Sequence, residues 1–577
     1  MSQGKKLNLI LCWHMHQPDY RNYATGAFEL PWTYLHALKD YSDMAGHLEN
    51  QPAARAVFNF VPVLLDQLED YADQFATDTV RDPLLELLRF KDLSRITRAQ
   101  RDLILEFCFR CNHTRMIEPF PAFKRLRDMF VMADGHGEAG LSYLSGQFLA
   151  DLLVWYHLAW TGETVRREYE LVIQLMTKGE GFTAQERRKL FDLIGQVIQG
   201  VIPRYRKLAE AGRIEISTTP HYHPIVPLLI DFKSARDAEP QASLPEAPSY
   251  PGGLGRAAFH VNSAIDSHER RFGVPPQGFW PAEGGISDAF LGLLGERGVG
   301  WTASGEGVLA HSLRRARDGL PLPQQTSYLY RPYRAAGAAN GVACFFRDDR
   351  LSDLIGFEYA DWHGRDAVHN FVQALEHIWT HTPEHEDPVV SMIMDGENAW
   401  EYYPYNGYYF LTELYSVLSQ HAFIRTTTFK DYLEECSTEP HGRCAATGDL
   451  PSLVAGSWVY GTFSTWIGSS DKNRAWDLLC DAKRSFDLVM AGGRLPEAEQ
   501  AAAHKQLADC ESSDWFWWFG DYNPQHSVES FDKLYRENLA NLYHLLKLPV
   551  PAQLAEPISH GGGGLAEAGG TMRRASA

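Results

Sequence analysis

No stretch of the 577-residue chain runs for about 18 apolar residues without interruption, so nothing in it is built to span a bilayer. Cysteine is scarce: eight residues lie scattered without a tight spacing framework, which excludes a disulfide-stapled scaffold and predicts reduced thiols in a cytosol. Positive charge is short as well. Lys and Arg number 54 against 73 Asp and Glu, and the net charge of −19 repels phosphate backbones and anionic lipid heads, so neither nucleic acid nor membrane is an expected partner. There is no internal repeat, no collagen or coiled-coil composition and no disorder-prone bulk. What is abundant is rings, 12% of the chain within an otherwise ordinary balance of 45% apolar and 22% charged residues. Rings among scattered carboxylates suit a neutral polyol, whose CH faces stack on aromatics while its hydroxyls take hydrogen bonds.

The length allows three or four average domains, or fewer if one is a large barrel. Near the N-terminus Lys5 and Lys6 precede a run, Leu7 to Trp13, that is too short for a signal segment and leads into His14 rather than a cleavage site. It reads as the buried first strand of a cytoplasmic protein. Six further apolar runs follow, at Ala56–Phe60, Ile214–Ser217, Gly278–Trp280, Val299–Ala303, Val342–Phe346 and Val389–Met394. Continuous rather than alternating hydrophobicity marks strands buried on both faces, and the helical patterns between them supply the crossovers of a parallel sheet. Seven such strands close naturally into a (β/α)7 barrel.

Helix ends are legible between them. Thr183 with Glu186 forms a capping box opening a helix that stops before Gly212, and Ser287 is placed to cap a helix over Asp288–Arg297. From about 73 to 183 the pattern is helical without a strand, a helical insertion expected to roof one side of the barrel. The Pro-, Ala- and Gly-rich stretch 237–255 reads as a loop. The lone Cys-x-x-Cys, Cys108 and Cys111, lies in a helical stretch and reads as core-facing rather than metal-binding. Residues 1–407 are thus expected to form the barrel and 408–550 a C-terminal helical domain completing the cleft. Residues 551–577 read as a disordered Gly- and Ala-rich tail.

Reactive groups of a parallel barrel sit where the strands end. Those ends supply His14, His16, Gln17, Asn59, Glu215, Thr218, Glu283, Arg347, Asp348, Asp395 and Glu397. Two carboxylates on different strands, facing across a ring-lined mouth, are what glycosidic cleavage requires, and Glu283 and Asp395 are the candidates. Glu283 follows Trp280-Pro281, an indole able to floor a sugar site. Asp395 ends an apolar strand whose burial would raise its pKa, as a general acid needs. Any one of these acids alone is better read as a surface or ion-paired carboxylate; their joint placement at strand ends points to chemistry. His14 and His16 have three readings: hydrogen bonding to sugar hydroxyls, a metal site of hydrolase or deacetylase type, or core packing.

Three ring-rich stretches follow the barrel, Trp400 to Tyr405, Thr462 to Trp466 and Asp514 to Phe519. Trp400 and Trp466 are candidates for substrate binding. In the third stretch Phe516 and Trp517 are expected in the core, with Asp514 and Trp515 turned toward a pyranose.

Five segments in this order, His16-Gln-Pro18, Gly212-Arg-Ile-Glu-Ile216, Trp280-Pro-Ala-Glu283, Asp395-Gly-Glu397 and Ser513-Asp-Trp515, resemble the five sequence regions of glycoside hydrolase family 57. The resemblance spans Leu7 to about Trp518. It implies a (β/α)7 barrel with a helical domain and a retaining double displacement on α-glucans, of amylase or amylopullulanase type. Glu283 would be the nucleophile and Asp395 the acid/base, with His16, Glu215, Glu397 and Asp514 lining the sugar site nearest the cleaved bond. No metal or other cofactor is implied. A 4-α-glucanotransferase or branching enzyme would share every catalytic residue, and a non-catalytic glucan-binding protein would keep only the rings. Gly284-Gly285 departs from the bulkier residues expected after the nucleophile.

Overall fold

The computed structural model describes residues 4–336, 341–438 and 443–562. Ten strands form one sheet: β1 (Leu7–Met15), β2 (Ala56–Phe60), β3 (Ile214–Thr218), β4 (Gly278–Phe279), β5 (Trp301–Ser304), β6 (Tyr333–Ala335), β7 (Ala343–Phe346), β8 (Val389–Asp395), β9 (Ile424–Thr427) and β10 (Gly448–Leu450). All seven apolar runs are strands, and they pair in parallel in the order β7-β5-β4-β3-β2-β1-β8. The ring closes beyond the end of β7, where Arg347 bridges Ser391 of β8 and the Asp348 N–H donates to the Ser391 carbonyl at 2.8 Å. Burial on both faces is what the uninterrupted hydrophobicity foretold: every residue of β1, β2 and β3 is buried.

The short strands β6, β9 and β10 have no counterpart in the sequence reading. β9 pairs with β1 along Leu7–Ile10, below the Cys12–Met15 segment that pairs with β2. The stretch after Tyr408 is therefore not helical throughout. The helix that follows β9, Phe429–Thr438, pushes Phe429 and Tyr432 into a cluster with Cys12, Trp280, Trp301 and Ile393 that fills the barrel interior.

Helix ends follow their sequence signals. Thr183 Oγ1 accepts from the Glu186 N–H while the Glu186 carboxylate accepts from the Thr183 N–H, and Ser287 caps Asp288–Gly295. Between β2 and β3 the chain is helical, including Arg98–Phe107, Pro121–Asp134 and Gly146–Ala159. Late in the chain come Ser470–Ala491, Glu497–Cys510, Ser513–Trp518 and Gln525–Leu545.

Two expectations are corrected. The expected tail from 551 is packed as far as Gly562: Leu554 and Ile558 are buried, and the Ile558 N–H donates to Asp532 Oδ1 at 2.7 Å, a backbone anchor no composition reveals. Residues 563–577 lie outside the described residues. The thiols are not all reduced either, since Cys436 and Cys444 form a disulfide with Cα atoms 5.7 Å apart. The end of one helix and the approach to β10 bring them together, a proximity that spacing alone leaves unspecified. Cys12, Cys108, Cys111, Cys344, Cys480 and Cys510 are buried and outside this disulfide. No helix among the described residues is long and apolar enough to cross a membrane.

Candidate active site

One cleft at the C-terminal ends of the strands is lined by His14, His16, Glu283, Asp395, Glu397 and Asp514, residues spread over 500 positions of sequence. Parallel strands deliver the first five from one rim, because every strand ends on the same side of the barrel. Asp514 arrives from outside it. Its helix is held against the β3 loop by two contacts, the Ser513 N–H donating to the His223 carbonyl and Ser513 Oγ meeting His223 Nδ1, both at 2.9 Å.

Glu283 sits on a strained backbone, φ 56° and ψ 25°, in the left-handed region that non-glycine residues rarely enter. Gly284 follows at φ 60°, where a Cβ would stand 2.9 Å from the Trp280 ring. The departure noted in the sequence thus has a local cause: the turn that raises Glu283 into the cleft has no room for a side chain after it. Trp458 holds this turn from above. Its indole N–H donates to Glu283 Oε2 at 3.1 Å and its backbone N–H donates to the Glu283 carbonyl at 3.0 Å.

Asp395 ends β8 opposite His14 of β1. Burial pushes its carboxyl up to about 6, opposed by a hydrogen bond from Asn398 and by the Arg347 charge. Asn398 Nδ2 donates to Oδ2 at 2.9 Å. Burial raises Glu397 well above the usual carboxylate range, with the Asp395 charge second, while its Oε1 accepts from the His16 N–H at 3.0 Å.

Burial disfavours the charged form of the three imidazoles. Burial holds His14 and His16 down to about 3 and His223 well below its ordinary value. His14 Nδ1 lies 2.6 Å from Asn59 Oδ1, an acceptor, which assigns the proton to Nδ1 and leaves Nε2 as the acceptor. His16 Nε2 lies 2.9 Å from both Asp514 oxygens, and its ring stacks on His223 at 3.8 Å. His16, His223 and Asp514 are the one group among the described residues able to gather ligand atoms around a metal ion, all within 4.8 Å. His223, not His14, would be the second imidazole of such a set.

Five expected site residues lie elsewhere. Glu215 is paired with Val57, which pairs with Cys12, one layer beneath the ring of His14, Asn59 and Ser217. Side chains of β3 repeat every second residue, so Glu215 points inward but too deep for the cleft. There it accepts from Trp301 Nε1 at 2.6 Å and from the Lys430 N–H at 2.9 Å, and burial raises it to about 7. Trp280 is fully buried under the Glu283 turn, edge-on to Trp458 at 5.1 Å. Trp400 donates to the Gly396 carbonyl at 2.8 Å and packs on Trp13, supporting the Asp395–Glu397 turn from behind. Trp466 is core, tilted against Trp517.

Trp515 and Trp517 exchange the roles expected of them. Trp515 is fully buried and donates to the Asp509 carbonyl, while Trp517 and Trp518 line the cleft with Asp514. In a helix, positions 514, 517 and 518 share one face. That spacing was readable in the sequence. Trp458 and Asn398 had no comparable signal.

The sequence model described as Glycosyl hydrolase family 57 matches residues 10–443. No protein of curated function is similar in sequence. Among solved structures, the chain is similar to a GH57-type branching enzyme from Pyrococcus horikoshii at 15% identity, covering 95% of this chain and 93% of that one, with a TM-score of 0.55. It is similar to the α-amylase AmyC from Thermotoga maritima at 12% identity, covering 94% of each chain, with a TM-score of 0.52. It is also similar to a 4-α-glucanotransferase from Thermococcus litoralis at 13% identity, covering 93% of this chain and 60% of that one, with a TM-score of 0.50.

Proposed function

Because the chain belongs to glycosyl hydrolase family 57, we propose that it cleaves α-glucans by a retaining double displacement, with Glu283 as nucleophile and Asp395 as acid/base. The observation that carries this reading is the contrast between two carboxylates lining one cleft. Glu283 is oriented by an indole N–H, whereas burial raises Asp395 to about 6, so that it holds its proton to a higher pH than an exposed carboxyl does.

In the first step a Glu283 oxygen attacks the anomeric carbon and the glycosidic C–O bond breaks. The Asp395 proton passes to the departing oxygen. With Asn398 on Oδ2, Oδ1 is the oxygen left to carry that proton. In the second step Asp395 takes a proton from water, whose oxygen attacks the same carbon and releases Glu283. His14, His16, Glu397 and Asp514 supply acceptors and donors for the hydroxyls of the reacting glucose, and Trp517 and Trp518 supply ring faces.

Transfer to a sugar hydroxyl, as in a 4-α-glucanotransferase or branching enzyme, is the second reading. It is favoured by a second cavity that shares Gln17, Tyr20, Asn398, Trp518 and Phe531 with the cleft's lining, room beside the site that an acceptor chain can use. The cytoplasm is the proposed location: six of the eight cysteines are buried and stand outside the one disulfide, Cys436–Cys444, as suits a compartment in which disulfides are few.

Incubation with soluble starch and with maltooligosaccharides, with products separated by size, tests the proposal. New reducing ends mean hydrolysis, and a ladder of longer and shorter chains means transfer. No change at all would leave only glucan binding. Glu283→Gln abolishes either activity, and turnover persisting in that variant would show that another residue is the nucleophile.

A further inference from the structure

Three side chains of the cleft wall have the makings of a metal site that the sugar chemistry does not require. His16 comes from the end of β1, His223 from the loop after β3 and Asp514 from helix Ser513–Trp518, and one ligand atom of each lies within 4.8 Å of the others. His223 is 1% exposed, yet its Nε2 is buried without a hydrogen-bond partner among the described residues. A buried acceptor left in that state calls for a ligand or another explanation. Ser513 Oγ, 2.9 Å from His223 Nδ1, can take the Nδ1 proton in a hydrogen bond, which leaves the Nε2 lone pair for a cation. Asp514 is prepared in the same way, since Ser512 Oγ donates to its Oδ2 at 2.6 Å. Ligating groups steadied by hydrogen bonds of their own are characteristic of metal centres.

Two imidazoles and one carboxylate form a donor set of borderline softness. Zinc and its neighbours in the first transition row favour such a set, whereas calcium and magnesium take six or more oxygens. The cleft lining carries five carboxyl groups against the single guanidinium of Arg347, a balance that draws in a dication. Binding has a cost. His16 Nε2 lies 2.9 Å from both Asp514 oxygens and its ring stacks on His223 with centroids 3.8 Å apart, so an entering ion displaces a hydrogen bond and parts the rings. With three protein ligands rather than the four of a structural zinc site, the ion is exchangeable.

We infer that His16, His223 and Asp514 form an exchangeable site for zinc or a similar borderline divalent cation, and that the ion excludes the reacting glucose, acting as a reversible inhibitor. The exclusion of glucose rests on the catalytic reading above; the metal site does not.

The test titrates ZnCl2 calorimetrically into the chelator-treated full-length chain carrying Glu283→Gln, with and without saturating maltotriose, and follows cleavage by the unmodified enzyme at fixed zinc. One zinc should bind per chain at the cleft, and maltotriose should displace it. His223→Gln and Asp514→Asn should each weaken it at least about tenfold while unfolding at the parent's temperature. Co2+ in place of zinc should give the visible bands of a low-coordinate site that maltotriose removes, a readout that needs no ligand variant. In the active enzyme zinc should raise KM with kcat unchanged, and MgCl2 or CaCl2 at the same concentration should not. Exposed His377 and His381, one turn apart on helix Gly364–His381 with ring centroids 4.0 Å apart, offer zinc a surface pair. Heat that survives maltotriose and both cleft variants but disappears in His381→Ala belongs to that pair and overturns the inference, as does the absence of saturable zinc binding. If maltotriose does not bind and the enzyme cleaves no glucan, the catalytic reading has failed, while zinc binding lost in both cleft variants still establishes the site.

Discussion

Trp458 donates two hydrogen bonds to Glu283, one from its indole to the carboxylate at 3.1 Å and one from its backbone to the carbonyl at 3.0 Å. The first fixes where the attacking oxygens point, and the second secures a backbone held at φ 56°. Neither contact follows from the five sequence segments, because Trp458 lies in a loop after β10, brought onto the Glu283 turn by the bridge between Ile286 and Gly456.

Trp458→Phe keeps the ring and the backbone bond but removes the indole donor. A hydrogen bond to a charged group contributes about 1.5–3 kcal/mol, so kcat should fall roughly 10- to 100-fold. Steady-state kinetics on a maltooligosaccharide check this, and a loss below twofold would show that the indole does not orient the carboxylate.

Asp395→Asn removes the proton donor without changing shape. Cleavage of natural glucosidic bonds should drop by about 10²- to 10⁴-fold. An aryl α-glucoside whose leaving group needs no proton should still release its aryl alcohol in a burst, since Glu283 can form the glycosyl-enzyme unaided. Equal loss on both substrates would remove Asp395 from the acid role.

The Asp395 carboxyl, raised to about 6 by burial, is active as an acid only while protonated. kcat/KM should therefore decline as pH rises through about 6, approaching tenfold per unit above it. Arg347 lies on the cleft and its charge opposes the rise. Arg347→Met should move this limb to higher pH. A limb that stays in place, or moves lower, contradicts the assignment.

Glu215 gives a stability prediction separate from catalysis. Its folded value, about 7, is above that of an exposed carboxyl, so the native state holds the proton more tightly than the unfolded chain. The stabilisation is complete below about pH 4.5 and is lost as pH rises through about 7, a decline of up to about 3 kcal/mol. Glu215→Gln should flatten the pH dependence of Tm across this window, measured by calorimetry. An unchanged slope would mean that Glu215 is ionised throughout.

The two tryptophans of one helix should separate by readout. Trp515→Ala empties a fully buried site and should cost about 3–5 kcal/mol of stability. Trp517→Ala, at the cleft wall, should raise KM while leaving the thermal midpoint closer to the parent's. Reversal of the two effects would return Trp515 to the sugar.

Much of the site was legible because its residues stand at the ends of apolar runs. His14, His16, Glu283, Asp395 and Glu397 needed only the strand boundaries and the rule that parallel strands end on one rim. The ring-rich segments were less legible. Indoles serve the core and a sugar site equally well, and Trp400, Trp466 and Trp515 are recognised as core only once their N–H partners and neighbours are known. Glu215 shows the same limit along a strand: motif and direction were readable, but depth was not.

Local pattern alone determined that seven buried strands alternate with helices and that acidic groups punctuate their ends, because periodicity and capping act over a few residues. The tertiary structure decided what no short window contains. It closed the ring through Arg347 and Ser391, set Glu215 one layer below His14, placed Trp458 over Glu283 and carried Asp514 to the cleft from a helix far along the chain. Those are contacts between segments hundreds of residues apart, selected by how the packed layers fit and not by any propensity written beside them.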